Sequence, residues 1–149
     1  DESSYNTMTA SWGGMGYIWE RPSTFIFIRD TRYTYQFLQQ HESFTLSFFN
    51  EKYRDALRIC GTMSGRNTDK VKEAGLTPLE TPSGLMSFEE ARMIIECKKM
   101  FIQELDYANL TEPYKSKIME EAYKNELSKH QMFISGIHSL FCIFAPAFS

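Results

Sequence analysis

Long apolar runs are missing from this sequence. Nothing in its 149 residues approaches the eighteen or so apolar residues of a membrane span, so no membrane helix is expected. Cysteine is scarce and unpatterned: Cys60, Cys97 and Cys142 are odd in number and lack C-x-x-C spacing. That signals neither a disulfide framework nor a zinc knuckle and fits a reducing, cytoplasmic setting. An excess of positive charge is lacking too. With a formal net charge of −3, a pI near 5.6 and scattered Lys and Arg, no basic stripe is available, and nucleic acid is not an expected partner. Several catalytic signatures are also absent. Gly14 and Gly16 begin a G-x-G-x-x-G pattern, but Trp19 stands where its last glycine belongs, and neither G-x-x-x-x-G-K-[ST] nor G-x-S-x-G occurs. Rossmann-type, P-loop and α/β-hydrolase chemistry therefore lack their marks. Internal repeats and low-complexity tracts are absent, and "DESSY" does not read as a signal peptide.

What is present suits one domain, residues 1–149, with a hydrophobic fraction of 42% and an aromatic fraction of 15% supplying flat plates for sheets and planar ligands. "TFIFIR" (Thr24 to Arg29) reads as a buried strand, and "DTRYTYQFLQQH" as a turn into a short helix with hydroxyls at Thr31 and Thr34 near its start. "SFTLSFF" alternates as a second strand. "NEKYRDALRICG" has helical spacing and predicts a left-handed cap at Gly61; a short helix is expected to stop at Gly75, and "LTPLETPSGL" to be a connector. "SFEEARMIIECKKMFIQEL" fits helix or strand, local spacing slightly favouring helix. "TEPYKSKIMEEAYKNEL" predicts a solvated helix capped at Thr111, and "HQMFISGIHSLFCIF" a long closing strand.

Candidate chemistry is sparse. His130, His138 and Cys142 share a strand face, but at about 3.3 Å per residue the outer two lie some 40 Å apart, too far for one metal ion. Glu89, Glu90 and the charges around Cys97 read as solvated surface. Arg29, Thr31, Arg32 and Thr34 lie between a buried strand and a helix start, where guanidinium groups, hydroxyls and free N–H groups could hold an anion. Alone, that pattern equally fits a capped helix with solvent-facing arginines, and "SGRNTDK", with Ser64, Gly65, Arg66 and Lys70, fits an ordinary loop. The polar run "NTMTASW" before a glycine pair shifts the balance. A flavin mononucleotide (FMN) needs an apolar wall, amide and hydroxyl partners along its polar edge and a cationic pocket for its phosphate, and the first seventy residues offer all three.

"NTMTASWGG", "RPSTFIFIRDTRYTYQFL", "SFTLSFF" and "CGTMSGRNTDK", in that order, closely resemble the flavin reductase-like, FMN-binding split-barrel proteins, in particular the flavoredoxin subgroup. The resemblance implies a mainly β fold: an antiparallel β-barrel of Greek-key type with peripheral helices, and a homodimer with FMN near its interface. It also implies strand over residues 90–103, since a barrel needs that strand to close. By the same resemblance, Asn6, Thr7, Met8, Thr9, Ala10 and Ser11 run along the isoalloxazine and ribityl chain, with Trp12 at the ring or the edge of the site. Arg29, Thr31, Arg32 and Thr34 look like the phosphate pocket. Ser47, Phe48, Phe49, Cys60, Gly61, Ser64, Gly65 and Lys70 would line the remainder, Lys70 being the candidate donor near flavin N1. Family members carry a strand before this first motif, so upstream residues are expected and the barrel is expected to lack that strand. The stretch from Pro113 to Lys129 matches no family motif. Two roles remain open: an NAD(P)H-dependent reductase of a flavin or small acceptor, with the chemistry at flavin N5 and no catalytic side chain, or an electron carrier serving a redox partner protein.

Overall fold

The computed structural model describes residues 5–124 and 128–143; sequence readings that fall on residues 1–4, 125–127 and 144 lie outside them. One antiparallel sheet joins β1 (Gly13–Ile18), β2 (Arg21–Arg29), β3 (Ser43–Phe48), β6 (Met93–Glu104) and β7 (His130–Cys142) in the order β1-β2-β7-β6-β3. The sheet is not closed: β1 and β3 are its two edges. A separate hairpin pairs β4 (Pro78–Glu80) with β5 (Met86–Phe88). Among the described residues, four α-helices accompany these strands: α1 (Tyr33–Gln40), α2 (Arg54–Thr62), α3 (Lys70–Glu73) and α4 (Tyr114–Ala122). The mainly β architecture with peripheral helices is thus as expected. Among the described residues, no helix is long and apolar enough to cross a membrane.

Strand β6 resolves the ambiguous segment. Ile94, Ile95, Glu96 and Cys97 are buried in succession, so both faces of the strand are covered and no inside–outside alternation is left to read. Register shifts at Glu96/Cys97 and Lys99/Phe101 disturb the period-two pattern further. Glu96, expected at the surface, is 2% exposed and accepts hydrogen bonds from the hydroxyls of Thr81 and Ser83.

Other local expectations change. Residues 76–85 are more than a connector: β4 lies within them, and hydroxyls fasten the β4–β5 hairpin to β3, Thr45 Oγ1 donating to the Met86 carbonyl at 2.6 Å and Ser47 pairing with Ser87 at 2.8 Å. Gly61 does not cap α2, which continues to Thr62 with Met63 as its C-cap. A Cβ at Gly61 would stand 3.3 Å from Thr9 Cβ, so this glycine serves close packing of the helix on the N-terminal segment. Gly75 does end its helix in a left-handed conformation, φ +66°. Neither Thr31 nor Thr34 caps α1, whose N-cap is Arg32, and Thr111 does not cap α4, which starts after Pro113; neither helix has a side-chain cap.

The run "YNTMTASW" belongs to no strand and ends in a bend at Trp12, and the glycines that follow it begin β1. A Cβ at Gly13 would lie 2.3 Å from the Phe25 carbonyl oxygen, so only glycine lets β1 approach β2 there. Two apolar clusters support the sheet. Ile26, Ile28, Leu38 and Phe133 pack with Met8, Tyr35, Phe44 and Leu46 between β2, β7 and α1. Ala56, Cys60, Leu76 and Phe88 pack beneath α2 and β5 with Tyr5 and Phe49. The N-terminal segment contributes to both, which holds it against the sheet without a ladder.

Candidate functional site

Two cavities meet along this N-terminal segment. The first, about 640 Å³, is lined by Arg29, Thr31, Arg32, Thr34, Ser64 and Lys70, together with Met8, Tyr33, Thr62, Met63, Gly65, Arg66 and Ser128. The second, about 600 Å³, is a long cleft lined by residues 5–15, by Ser47, Phe48 and Phe49 at the end of β3, and by Cys60. Met8 and Thr34 line both. The structure therefore brings together the sequence-predicted residues in two groups. Gly61 lines neither, and its carbonyl instead accepts from Arg32 Nη1 at 3.0 Å.

The first cavity is strongly electropositive. Arg29, Arg32, Arg66 and Lys70 line it, and no carboxylate among its lining residues opposes them. Strand β2 delivers Arg29 at its last position, the turn that follows delivers Thr31 and Arg32, and Thr34 lies in the first turn of α1. The loop after α2 closes the opposite side. There the Arg66 guanidinium donates to the Thr31 carbonyl at 3.2 Å and lies 5.1 Å from the Tyr33 ring centroid. A Cβ on Gly65 would come within 2.2 Å of Asn6 Oδ1, so glycine is what lets this loop fold against the N-terminal segment. Asn6 in turn donates through Nδ2 to Thr34 Oγ1 at 2.8 Å.

Lys70 is 5% exposed and donates to the Cys60 carbonyl at 3.2 Å. Burial pushes its ammonium pKa down, with the Cys60 thiol opposing and Arg32 reinforcing that shift. Burial likewise raises the Cys60 thiol, against the pull of the Lys70 charge. Lys70 lines the cationic cavity and not the long cleft, which differs from the expected position at the polar edge of a ring. The charged residue that sequence reasoning left unassigned is Arg66; its spacing four residues before Lys70 was the available signal. Tyr33, Thr62, Met63 and Ser128 carried none.

The cleft is less polar. Thr9 Oγ1 donates to the Leu57 carbonyl at 2.5 Å, fixing the N-terminal segment to α2. Trp12, at the mouth, is 43% exposed and stacks on His130 with ring centroids 4.4 Å apart and an interplanar angle of 27°. His130 is buried, and its pKa is pushed down to about 4 by that burial first, then by Arg29 and Arg32, with Asp30 opposing. The ring is neutral at pH 7. No group of His, Cys, Asp and Glu among the described residues could hold a metal ion.

An open antiparallel sheet thus carries an arginine-lined cavity beside a polar and aromatic cleft, the two sharing Met8 and Thr34. Residues 1–111 match the flavin reductase like domain, and the chain belongs to that family. Solved structures share the fold. Flavoredoxin of Desulfovibrio vulgaris (Miyazaki F) superposes with a TM-score of 0.69 at 24% identity over 93% of this chain and 62% of that one. An FMN-binding protein from Thermus thermophilus with bound 1-cyclohex-2-enone gives 0.69 at 18% identity, over 91% of this chain and 62% of that one. An NADH:FAD oxidoreductase of Streptomyces globisporus gives 0.66 at 14% identity, covering 91% and 67% respectively. The chain thus spans about 62% of the length of the first two. No curated protein sequence matches it.

Proposed function

We propose that this chain binds FMN across the two cavities and works as a flavin-dependent oxidoreductase, an NAD(P)H-dependent reductase of a flavin or another small acceptor. The observation that carries this reading is the meeting, at the start of α1, of four cationic side chains in a cavity that shares Met8 and Thr34 with a neighbouring cleft that has aromatic walls. The donor set fits the cofactor. A phosphate monoester wants several charge-assisted donors, and Arg29, Arg32, Arg66 and Lys70 with the hydroxyls of Thr31, Thr34 and Ser64 supply them. A planar ring wants an apolar wall and a polar edge, which Phe48, Phe49 and Trp12 and the segment Asn6–Ser11 supply. Each cavity lies within the roughly 300–1,000 Å³ usual for small-ligand sites.

When bound, the flavin would supply hydride acceptance at N5 and onward electron transfer. The residues of the chain bind and orient it: the cationic wall fixes the phosphate, while Asn6, Thr7, Thr9 and Ser11 offer hydrogen bonds along the sugar chain and ring. No side chain is assigned as a proton donor or acceptor in the reaction. Lys70 belongs, in this reading, to the phosphate end. Trp12 at the mouth favours a second reading, a flavoredoxin-type carrier that shields its ring and passes electrons to a partner protein. A homodimer with the flavin near its interface belongs to the same proposal, supported by the exposed Met15 and Tyr17 of edge strand β1. The free thiols of Cys60, Cys97 and Cys142 support a reducing, cytoplasmic compartment.

The test is anaerobic mixing of FMN-loaded protein with NADH or NADPH while the visible flavin absorbance is followed. Bleaching by either nucleotide supports the reductase. Bleaching by a reduced carrier protein but by neither nucleotide selects the electron carrier, and failure to take up FMN at all removes both.

A further inference from the structure

No Lys, Arg, Asp or Glu is among the residues that line the cleft. Behind its wall, however, lies the carboxylate of Glu96, 2% exposed on β6. Its two oxygens accept from the hydroxyls of Thr81 and of Ser83, the latter at 2.9 Å. The Thr81 hydroxyl itself accepts from the Leu85 N–H at 3.2 Å, so its one proton is directed at Glu96, which is held as an acceptor. The turn also closes on itself: the Thr81 N–H donates to the Leu85 carbonyl at 2.7 Å, and the Gly84 N–H to the Thr81 carbonyl at 2.9 Å. Gly84, Leu85 and Met86, which follow Ser83, line the cleft, as does Thr45, the residue opposite Glu96 in the β3–β6 ladder. Among the described residues no cation comes within ion-pair distance of Glu96. Two cations reach the back of the cleft elsewhere: Lys70 donates to the Cys60 carbonyl, and Lys99, which has Glu42 as a counter-charge, donates to the Leu38 carbonyl.

We infer that Glu96 tunes the redox preference of the cleft: its buried negative charge favours oxidised over reduced flavin and so lowers the midpoint potential of the bound cofactor. The inference rests on the FMN reading above. Full reduction of FMN takes up two electrons and, above neutral pH, one proton, so the bound ring gains one negative charge. Like charges repel, and one unit charge acting across about 10 Å of protein interior is worth about tenfold in an equilibrium. The hydroxyls of Thr81 and Ser83 satisfy the hydrogen bonds of the carboxylate without cancelling its charge. An amide at this position would hold the same turn without burying a charge, so the charge itself is the feature that the hydrogen bonds leave unexplained.

The experiment measures the midpoint potential of bound FMN at pH 8 in wild type, Glu96→Gln and Ser83→Ala, by anaerobic reductive titration against a reference dye. The dissociation constant of oxidised FMN is measured alongside from the quenching of its fluorescence. Glu96→Gln keeps the bulk and a carbonyl acceptor but removes the charge, whereas Ser83→Ala loosens the turn and keeps the charge. Glu96→Gln is expected to tighten reduced FMN about tenfold relative to oxidised FMN, a rise of about 30 mV for the two-electron couple, with oxidised FMN bound within about twofold of wild type. Ser83→Ala is expected to keep the wild-type potential. An unchanged potential in Glu96→Gln would overturn the inference, and so would an equal rise in Ser83→Ala, which would trace the shift to the turn and not to the charge. Should Glu96→Gln fail to fold, the triple variant Glu96→Leu, Thr81→Val, Ser83→Ala replaces the whole polar cluster by apolar groups and carries the same comparison. Wild type that takes up no FMN overturns the FMN reading and this inference with it; FMN uptake with no shift in Glu96→Gln overturns this inference alone.

Discussion

The side-chain amide of Asn6 donates to Thr34 Oγ1 across 2.8 Å, tying an N-terminal segment that belongs to no sheet to the first turn of α1. Both residues line the cleft, and Thr34 also lines the cationic cavity. If the bond holds the two cavities in register, Asn6→Ala and Thr34→Ala each weaken FMN binding by about 0.5–1.5 kcal/mol, and the double variant costs little more than either alone. Titration of the three variants checks this. Strictly additive losses would show that the residues act separately.

Gly65 tests the same corner from the other side. A methyl group there meets Asn6 Oδ1 at 2.2 Å and Tyr33 Cδ1 at 3.2 Å, and Asn6 cannot swing away without giving up Thr34. Gly65→Ala is expected to destabilise the protein by about 1 kcal/mol and to loosen FMN retention. In an Asn6→Ala background most of the stability cost should disappear. Urea unfolding of the four proteins reads out the difference, and an equal cost in both backgrounds would exclude Asn6 as the obstacle.

Gly13→Ala meets backbone instead. The added Cβ would lie 2.3 Å from the Phe25 carbonyl oxygen, in the β1–β2 ladder, where no side chain can rotate out of the way. The expected cost is about 2–3 kcal/mol. Gly14→Ala, which meets nothing within 4 Å, is the matched control and should change the thermal midpoint little. Equal midpoints for the two variants would contradict the close approach.

His130 gives the fold a dependence on pH. Its folded-state pKa, about 4, lies below the 6.5 of the free side chain, so between those values the unfolded chain binds a proton that the folded chain does not. Stability is therefore fully present above about pH 6.5 and falls as the pH drops toward 4, by on the order of 2 kcal/mol from this residue. His130→Phe removes the titration, and its stability should decline less steeply than that of the wild type between pH 7 and 4.5. Parallel slopes would mean that the imidazole protonates equally well in both states.

The strands most easily read from sequence were those whose chemistry is local. The apolar "TFIFIR" lies in β2, where Thr24, Ile26 and Ile28 are buried, and the alternating "SFTLSFF" supplies all of β3, although its burial does not alternate. Strand β6 was not legible from its residues alone: consecutive burial of Ile94 to Cys97 on both faces erased the period, and family order supplied what spacing could not. The β4–β5 hairpin escaped notice because hydroxyl pairs fasten it, and Ser and Thr carry no directional signal in a sequence. The arginine–threonine turn was legible as a cluster of donors because Arg29, Thr31, Arg32 and Thr34 lie within six positions, and all four line the first cavity. Arg66 was visible only as part of "SGRNTDK", which alone fits an ordinary loop, and Ser128 reaches the cavity from an element distant in the chain. Gly61 misled most: it stands where Thr9 presses close, a reason that exists only in three dimensions.

Met8 and Thr34 form a party wall between the cationic cavity and the cleft. The two compartments therefore cannot be redesigned independently. A larger residue at either position, chosen to suit a different ring, also trims the space for the anion, and a smaller one opens both at once. Selectivity for one end of a ligand is inherited by the other, so variants with altered ring preference are best sought at Phe48, Phe49 or Trp12, which touch the cleft alone.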